Sequence, residues 1–322
     1  MTPTLTVLIA THDRAGLLER ALRYLNEARR PTGWHVDVLV AANACSDSTH
    51  ALLDRWLGEV DGSGGLPLRW FAEPRVGKSN ALNSALPRLE ADLVAFVDDD
   101  HRVDPGYLEN ACLAATALPD VDIFCGRILP DWDGSEPDWV HDTGQYRIYP
   151  LPVPRYDLGD EPVDAPQTIA APGGGNWVLR GDLLRRVGAF STAYGPVGRG
   201  LEGSEDAEWI GRAIAMGARL RYEPGIVQYH YVDTQRLTLA YVVRKAYQRS
   251  AGAVRVSRET VDAGPLPGWM LRKVARNALA LAGARSRDSF RFRLVRLAAS
   301  LGEIKGHLRA RRERAATAER RA

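Results

Sequence analysis

Three consecutive carboxylates, Asp98-Asp99-Asp100, close the apolar run Leu93-Val94-Ala95-Phe96-Val97. Adjacent carboxylates repel, so such a cluster is stable only where solvent or a cation neutralises it. Divalent cations take carboxylate oxygens and bridge them to substrate phosphates. By itself the triplet reads either as a metal site for a diphosphate or as a solvated acidic turn. A second acidic pair, Glu205-Asp206, opens a helical pattern that runs to Met216. The helix dipole alone explains acidic residues there; a general base aimed at a hydroxyl is the alternative. His230 ends the run Val227-Gln228-Tyr229-His230-Tyr231, and an imidazole beside carboxylates suits a manganese-like cation. Lys78 reads as a phosphate or nucleotide-base contact, or as an exposed lysine at a helix start.

The elements that must hold these residues alternate. Strand signals at Thr4–Ala10, Val36–Val40, Leu68–Ala72 and Leu93–Val97 are separated by helical spacing at Arg14–Ala28, Asp47–Leu57 and Lys78–Leu86. This order predicts an α/β fold with a mostly parallel sheet and helices on both faces, and ligands bind such sheets beyond the carboxyl ends of the strands. A helix over Pro105–Leu118 and a strand over Val121–Gly126 follow. The stretch 130–172 is rich in proline and aromatic residues and reads as a long binding loop or as an insertion with a few buried anchors. Beyond it come a strand at Trp177–Leu179, helices at Gly181–Val187 and Glu205–Met216, short strands at Arg219–Tyr222 and Ile226–Tyr231, and a helix at Leu237–Val254.

The 322 residues are 45% hydrophobic and 25% charged, the composition of a globular chain with a sizeable core. The three cysteines lack metal-ligand spacing and point to a reducing compartment. The N-terminus has no basic segment before its first strand, and no stretch reaches a membrane span. A cytoplasmic location is therefore expected. Net charge is +2, but Trp269–Ala322 holds 15 Lys/Arg against 4 Asp/Glu, so a basic tail follows an acidic body.

The order of the motifs resembles family 2 glycosyltransferases of the GT-A fold, across about residues 5–232. Thr11-His12-Asp13-Arg14 is similar to that family's opening Thr-x-x-Arg, and Asn43–Thr49 to its Asn-Gly-Ser-Thr-Asp-Gly-Thr loop. Gly77–Asn83 matches Gly-Lys-x-x-Ala-x-Asn, and Asp98-Asp99-Asp100 matches Asp-x-Asp. Gly174-Gly175-Asn176, the Glu205-Asp206 pair with Arg212, and Pro224 through His230 complete the series. The resemblance implies a nucleotide-sugar-binding half over 1–126, an acceptor-binding half over 127–235 with its variable loop at 130–172, and a helical C-terminal extension over 236–322.

It also implies residue roles. Thr11, Arg14, Asn43, Asp47, Lys78, Asp98 and Asp99 are expected around the donor. Asp100, Asp98 and His230 are expected around Mn2+ or Mg2+. Gly174, Gly175, Asn176 and Trp209 are expected near the sugar or acceptor. Asp206 is expected as the base for an inverting transfer, with Glu205 as second choice. The family usually carries Asp just before the Asn of its second motif, against the nucleotide base. Here that residue is Ala42, so Asn43 or Asp47 is expected to substitute, with UDP as the default nucleotide. The acceptor class spans polysaccharides, glycolipids and small natural products. No nucleic-acid recognition motif accompanies the arginines.

Two other readings compete. A sugar nucleotidyltransferase calls for a glycine-rich phosphate loop after the first strand, where this chain has Thr11-His12-Asp13-Arg14-Ala15-Gly16. A non-catalytic scaffold on the same fold is opposed by the joint presence of Asp98, Asp100, Asp206 and His230. In the tail, Phe290, Phe292, Leu294, Val295, Leu297, Ala298 and Leu301 form a candidate apolar helix face rimmed by arginines. It reads as peripheral contact with an anionic membrane, or as packing on the body.

Overall fold

Alternation in the sequence becomes alternation in space. The computed structural model describes residues 2–63, 65–149, 151, 153–164, 175–192, 205–259 and 265–319, with side chains for all of these except 59–63, 205, 255–259 and 314–319. The first elements are β1 (Thr4–Thr11), α1 (Ala15–Glu27), β2 (His35–Asn43), α2 (Thr49–Ser63), β3 (Leu68–Glu73), α3 (Lys78–Ala85) and β4 (Leu93–Phe96). β1 pairs in parallel with β2 and β4, and β2 with β3.

β5 (His101–Val103), α4 (Tyr107–Ala117), β6 (Ile123–Asp131), β7 (Val163–Asp164), β8 (Trp177–Arg180), α5 (Gly181–Val187), α6 (Glu205–Ala215) and β9 (Leu220–Tyr231) follow. The strand order is β3-β2-β1-β4-β8-β6-β9-β5, with β7 on β9. β8 runs antiparallel to β4 and β6, and β5 antiparallel to β9. The parallel sheet thus holds for the first four strands and becomes mixed beyond β4.

Period-two patterning puts a core on each face. Leu5, Val7 and Ile9 of β1 pack with Leu18, Leu22 and Leu25 of α1, Leu52 and Leu53 of α2, and Leu108 and Ala111 of α4. Leu8 faces the other way, in a cluster with Leu82 of α3, Leu183 of α5 and Trp209 of α6. Helices therefore cover both faces, as the continuous apolar runs of β1 and β4 require.

β9 departs from the expected pair of strands. Pro224-Gly225 reads as a break, yet the strand continues through it. Cys125 pairs with Tyr222 and Arg127 with Val227, so the extra residues of β9 bulge opposite Gly126. A Cβ on Gly126 would lie 1.8 Å from the Ile226 carbonyl oxygen, which accounts for glycine there. Past the bulge the alternation is strict, with Ile226, Gln228 and His230 buried and Val227, Tyr229 and Tyr231 less so.

Contacts group the chain into residues 1–131 with 154–231, and residues 132–153 with 232–322. All nine strands among the described residues lie in the first group. The second contains α7 (Leu239–Glu259), α8 (Gly268–Ala282) and α9 (Arg287–Glu319), together with part of the proline-rich stretch. α7 and α9 meet backbone to backbone: a Cβ on Gly302 or Gly306 would lie 2.1 or 2.2 Å from the carbonyl oxygens of Tyr247 and Ala251. Phe292 packs near Tyr146, Arg291 lies over the Trp139 ring, and Ala298 is buried. Of the apolar face expected on α9, Phe292 and Ala298 are thus used inside this unit, whereas Phe290 and Leu301 stay exposed. α8 instead leaves Trp269, Leu271 and Leu279 exposed, the last at 75%. Among the described residues, no helix is long and apolar enough to cross a membrane.

Candidate active site

The three aspartates form the turn that carries β4 into β5. The His101 amide donates to the Asp98 carbonyl, and the Tyr231 amide donates to the Asp100 carbonyl. β4 neighbours β1, so the turn faces the end of β1, and each carboxylate finds a different partner. Asp99 accepts from Thr11 Oγ1 at 2.7 Å and from Arg14 Nη1 at 2.9 Å. Arg14 Nη1 also reaches Asp100 Oδ2 at 2.9 Å. Lys78 Nζ, on the first residue of α3, donates to Asp98 Oδ1 at 2.7 Å.

These partners set the charge state of the turn. Burial, helped by the Asp100 charge and opposed by Arg14, pushes the Asp99 carboxyl up to about 6. Asp98 moves the other way: burial raises its pKa, but the Lys78 ammonium and its hydrogen bond, together with His101 and His230, outweigh burial and hold the carboxyl below the ordinary range.

Asp100 is joined by two histidines. Its Oδ2 lies 3.7 Å from His230 Nε2 and its Oδ1 lies 3.9 Å from His101 Nε2. One ligand atom from each of the three residues falls within 4.8 Å of the others. His101 and His230 are paired across β5 and β9, so a single register contact brings the two rings to a centroid distance of 5.0 Å. His230 Nδ1 lies 2.6 Å from the Tyr231 carbonyl oxygen. A carbonyl only accepts, so the proton sits on Nδ1 and the Nε2 lone pair faces Asp100. Burial holds this imidazole below its ordinary pKa, against the pull of Asp100, which keeps it neutral. One carboxylate and an imidazole with an open Nε2 fit a divalent first-row cation, with a second imidazole close by.

Several expected residues have structural duties. Asn43 Oδ1 accepts from the Gly77 amide, and its Nδ2 donates to the carbonyls of Glu73 and Arg75. It ties β2 to the loop before α3. Asp47 Oδ1 accepts from the Thr49 amide and hydroxyl, and Oδ2 from the Ala15 amide. Both expected substitutes for the missing base contact are thus engaged in holding loops. Cys45 is a packed loop residue, its thiol pushed up by burial.

Trp209, expected near the acceptor, is a core residue instead. It is fully buried, donates Nε1–H to the Gly188 carbonyl and stacks on Phe190 at 5.3 Å. Asn176 is equally buried and donates to the carbonyls of Arg127 and Ile226. Gly175 packs against the turn: a Cβ there would lie 2.7 Å from Asp98 Oδ2 and 2.8 Å from His101 Cε1. Arg212 pairs with Glu208 and donates to the carbonyls of Val187 and Ala189, closing the end of α5. Asp206 is half-buried in the first turn of α6. Gly174 and the Glu205 side chain lie outside the described residues.

His101 and Gln228 were not singled out from the sequence. His101 directly follows the aspartates and Gln228 stands two residues before His230, on the same strand face. Those placements were the available signals.

The sequence model for the family described as "Glycosyl transferase family 2" matches residues 6–187, more than half of the chain. The chain belongs to this family. Within family 2, it is 28% identical over 207 residues to proteins from two Mycobacterium tuberculosis strains named pre-mycofactocin glycosyltransferase. The match covers 62% of this chain and spans about two fifths (40%) of those relatives. Solved structures agree on the fold. A Pyrobaculum calidifontis mannosyltransferase, PcManGT, in complex with GDP-Man and Mn2+ aligns with a TM-score of 0.52 at 21% identity, covering 98% of this chain and 76% of its own. GalNAc-T7, in complex with UDP, GalNAc and Mn2+, aligns at 0.53 with 13% identity over 78% of this chain and 51% of its own. The GT-A architecture expected from the motif order is the architecture present.

Proposed function

We propose that this glycosyltransferase moves a sugar from a nucleoside-diphosphate donor, a UDP-sugar by default, to an acceptor hydroxyl, with a divalent cation at the Asp-turn and inversion at the anomeric carbon. The observation that carries the reading is the pairing of Asp100 with the open Nε2 of His230 at the carboxyl end of the central strands. Asp100 and His230 would hold Mn2+ or Mg2+. A bound cation supplies positive charge to the departing diphosphate.

The chain's own groups complete the arrangement. Arg14 and the Lys78 ammonium at the start of α3 supply fixed positive charge for phosphate oxygens, where electrostatic help acts on the leaving group. Asp98 positions Lys78 and faces the donor. Asp206 takes the acceptor hydroxyl proton as that oxygen attacks, and one displacement without a covalent intermediate inverts the centre. The two fold neighbours bound to GDP-Man and to UDP are consistent with a nucleotide donor while leaving the base to experiment.

The acceptor is a glycolipid, polysaccharide or natural product, and its selection is assigned to the variable stretch 130–172 and the C-terminal helices. For a lipid-linked acceptor, α8 supports contact with the cytoplasmic face of an anionic membrane. It exposes Trp269, Leu271 and Leu279 beside Arg272 and Arg276, and contains no acidic residue. Such a face is suited to the headgroup region.

The test is thermal unfolding with UDP, GDP, dTDP and CDP, each with and without Mn2+. A ligand at about a hundred times its dissociation constant stabilises by roughly 2.7 kcal/mol. A Mn2+-dependent shift with one nucleotide, lost in Asp100→Ala, establishes donor class and metal site together. No shift with any of them counts against the reading.

A further inference from the structure

We infer that His101 is a ligand of the bound cation alongside Asp100 and His230, and that buried Gln228 is the positioning residue that makes it one. This rests on the metal-dependent reading above and extends it to two residues outside the motif series.

The argument is a chain of hydrogen-bond polarities. Asn176 Nδ2 donates to the carbonyl oxygens of Arg127 at 2.7 Å and Ile226 at 3.0 Å, so Asn176 Oδ1 is turned toward Gln228. Gln228 Nε2 lies 3.1 Å from that oxygen and 2.9 Å from the Phe96 carbonyl oxygen. Both are acceptors, so the Gln228 amide has one orientation, with Oε1 toward His101. That oxygen lies 2.5 Å from His101 Nδ1 and can only accept. His101 therefore carries its proton on Nδ1, and its Nε2 offers a lone pair on the side of Asp100. Gln228 and Asn176 are fully buried, so no water competes for the roles.

The geometry suits a shared ion. Metal–ligand bonds of about 2.0–2.2 Å allow ligand atoms up to roughly 4.4 Å apart around one cation. The 3.7 and 3.9 Å separations from Asp100 fall within that span. Two imidazoles with one carboxylate favour a transition-metal cation over Mg2+, which prefers an all-oxygen shell. Histidine ligands are commonly oriented by a partner on the other ring nitrogen, and losing that partner costs about 10- to 100-fold in metal affinity. Gln228 is placed to be that partner.

The probe is MnCl2, alone and with UDP or GDP, observed by electron spin-echo modulation on the full chain. The native protein should show nitrogen coupling from two imidazoles. His101→Ala and His230→Ala should each leave one, and Gln228→Leu should weaken Mn2+ binding about 10- to 100-fold. Circular dichroism of the metal-free variants separates this from misfolding, and the native nitrogen count needs no variant. One coupled imidazole in the native protein, lost in His230→Ala and kept in His101→Ala, overturns this inference and leaves the metal-dependent reading standing. Mn2+ that does not bind, or binds without nitrogen coupling, overturns both.

Discussion

Lys78 Nζ rests 2.7 Å from Asp98 Oδ1, so the first residue of α3 is clamped to the turn after β4. The contact joins a helix start, whose amides favour anions, to the acidic turn proposed to meet a diphosphate.

Replacing this lysine tests the clamp. Lys78→Met should weaken nucleoside diphosphate binding in the presence of Mn2+ by about 10- to 100-fold, the worth of a hydrogen bond to a charged group. Calorimetric titration measures it. An unchanged Kd removes Lys78 from the donor site.

Arg14 serves two carboxylates at once. Arg14→Ala leaves Asp99, only 6% exposed at its side chain, beside Asp100 without its counter-charge. Because Arg14 is itself about two fifths exposed (41%), the loss should be about 1–3 kcal/mol, below the usual figure for a fully buried pair. Thermal unfolding should show a lower Tm, partly restored by Mn2+ or by a second change, Asp99→Asn. An undiminished Tm would mean that solvent already neutralises the pair.

Asp206→Asn should retain donor binding and lose transfer, because only the proton acceptor is removed. Single-turnover product formation, set against nucleotide binding, separates the two. Full transfer by this variant would sink the assignment of the base.

Acid stability should depend on Glu73. Its carboxylate is buried and accepts from the amide, Nε and Nη2 of Arg75 and from Ser84 Oγ. Hydrogen bonds from Arg75, with the Ser84 bond, overcome burial and hold its pKa at about 2, below an unfolded value of 4.5. Since the folded value is the lower, the stabilisation is fully present above pH 4.5 and fades as pH falls toward 2. Its size is on the order of 2 kcal/mol. Glu73→Gln should flatten the fall in unfolding free energy over that interval. An equally steep fall in the variant would assign acid sensitivity elsewhere.

The exposed face of α8 predicts binding to vesicles containing anionic lipid, falling with salt, at about 1 kcal/mol per basic residue near the surface. Leu279→Ser together with Leu271→Ser should reduce co-sedimentation without lowering the Tm. Equal pelleting by the variant would move the contact to another surface.

Much of this was readable from residue order, and the failures have causes. β1, β4 and their helices were legible because continuous apolar runs and helical spacing are local signals. β9 was split in two because Pro224-Gly225 is a strong local break, overridden by a bulge that only the facing Gly126 explains. Trp209 looked like a binding aromatic because burial is a tertiary property. His101 was passed over because its pairing with His230 depends on the register of β5, a strand of three residues with no pattern of its own. Asn43 and Asp47 sat in the expected motif, but motif spacing says nothing of which hydrogen bonds are already committed.

The strict alternation of β9 beyond its bulge makes chain length, more than side-chain chemistry, the vulnerable quantity there. Deletion of Val227 alone would substitute no residue of the aspartate turn, yet with the bulge side of β9 held it would carry Tyr231 into the place opposite His101 and send Gln228 outward. One lost codon would remove two site residues together. The same deletion within Glu223–Gly225 could be absorbed by the bulge, where spare length is already stored. Insertions and deletions across this strand should therefore sort sharply, tolerated before Ile226 and inactivating after it.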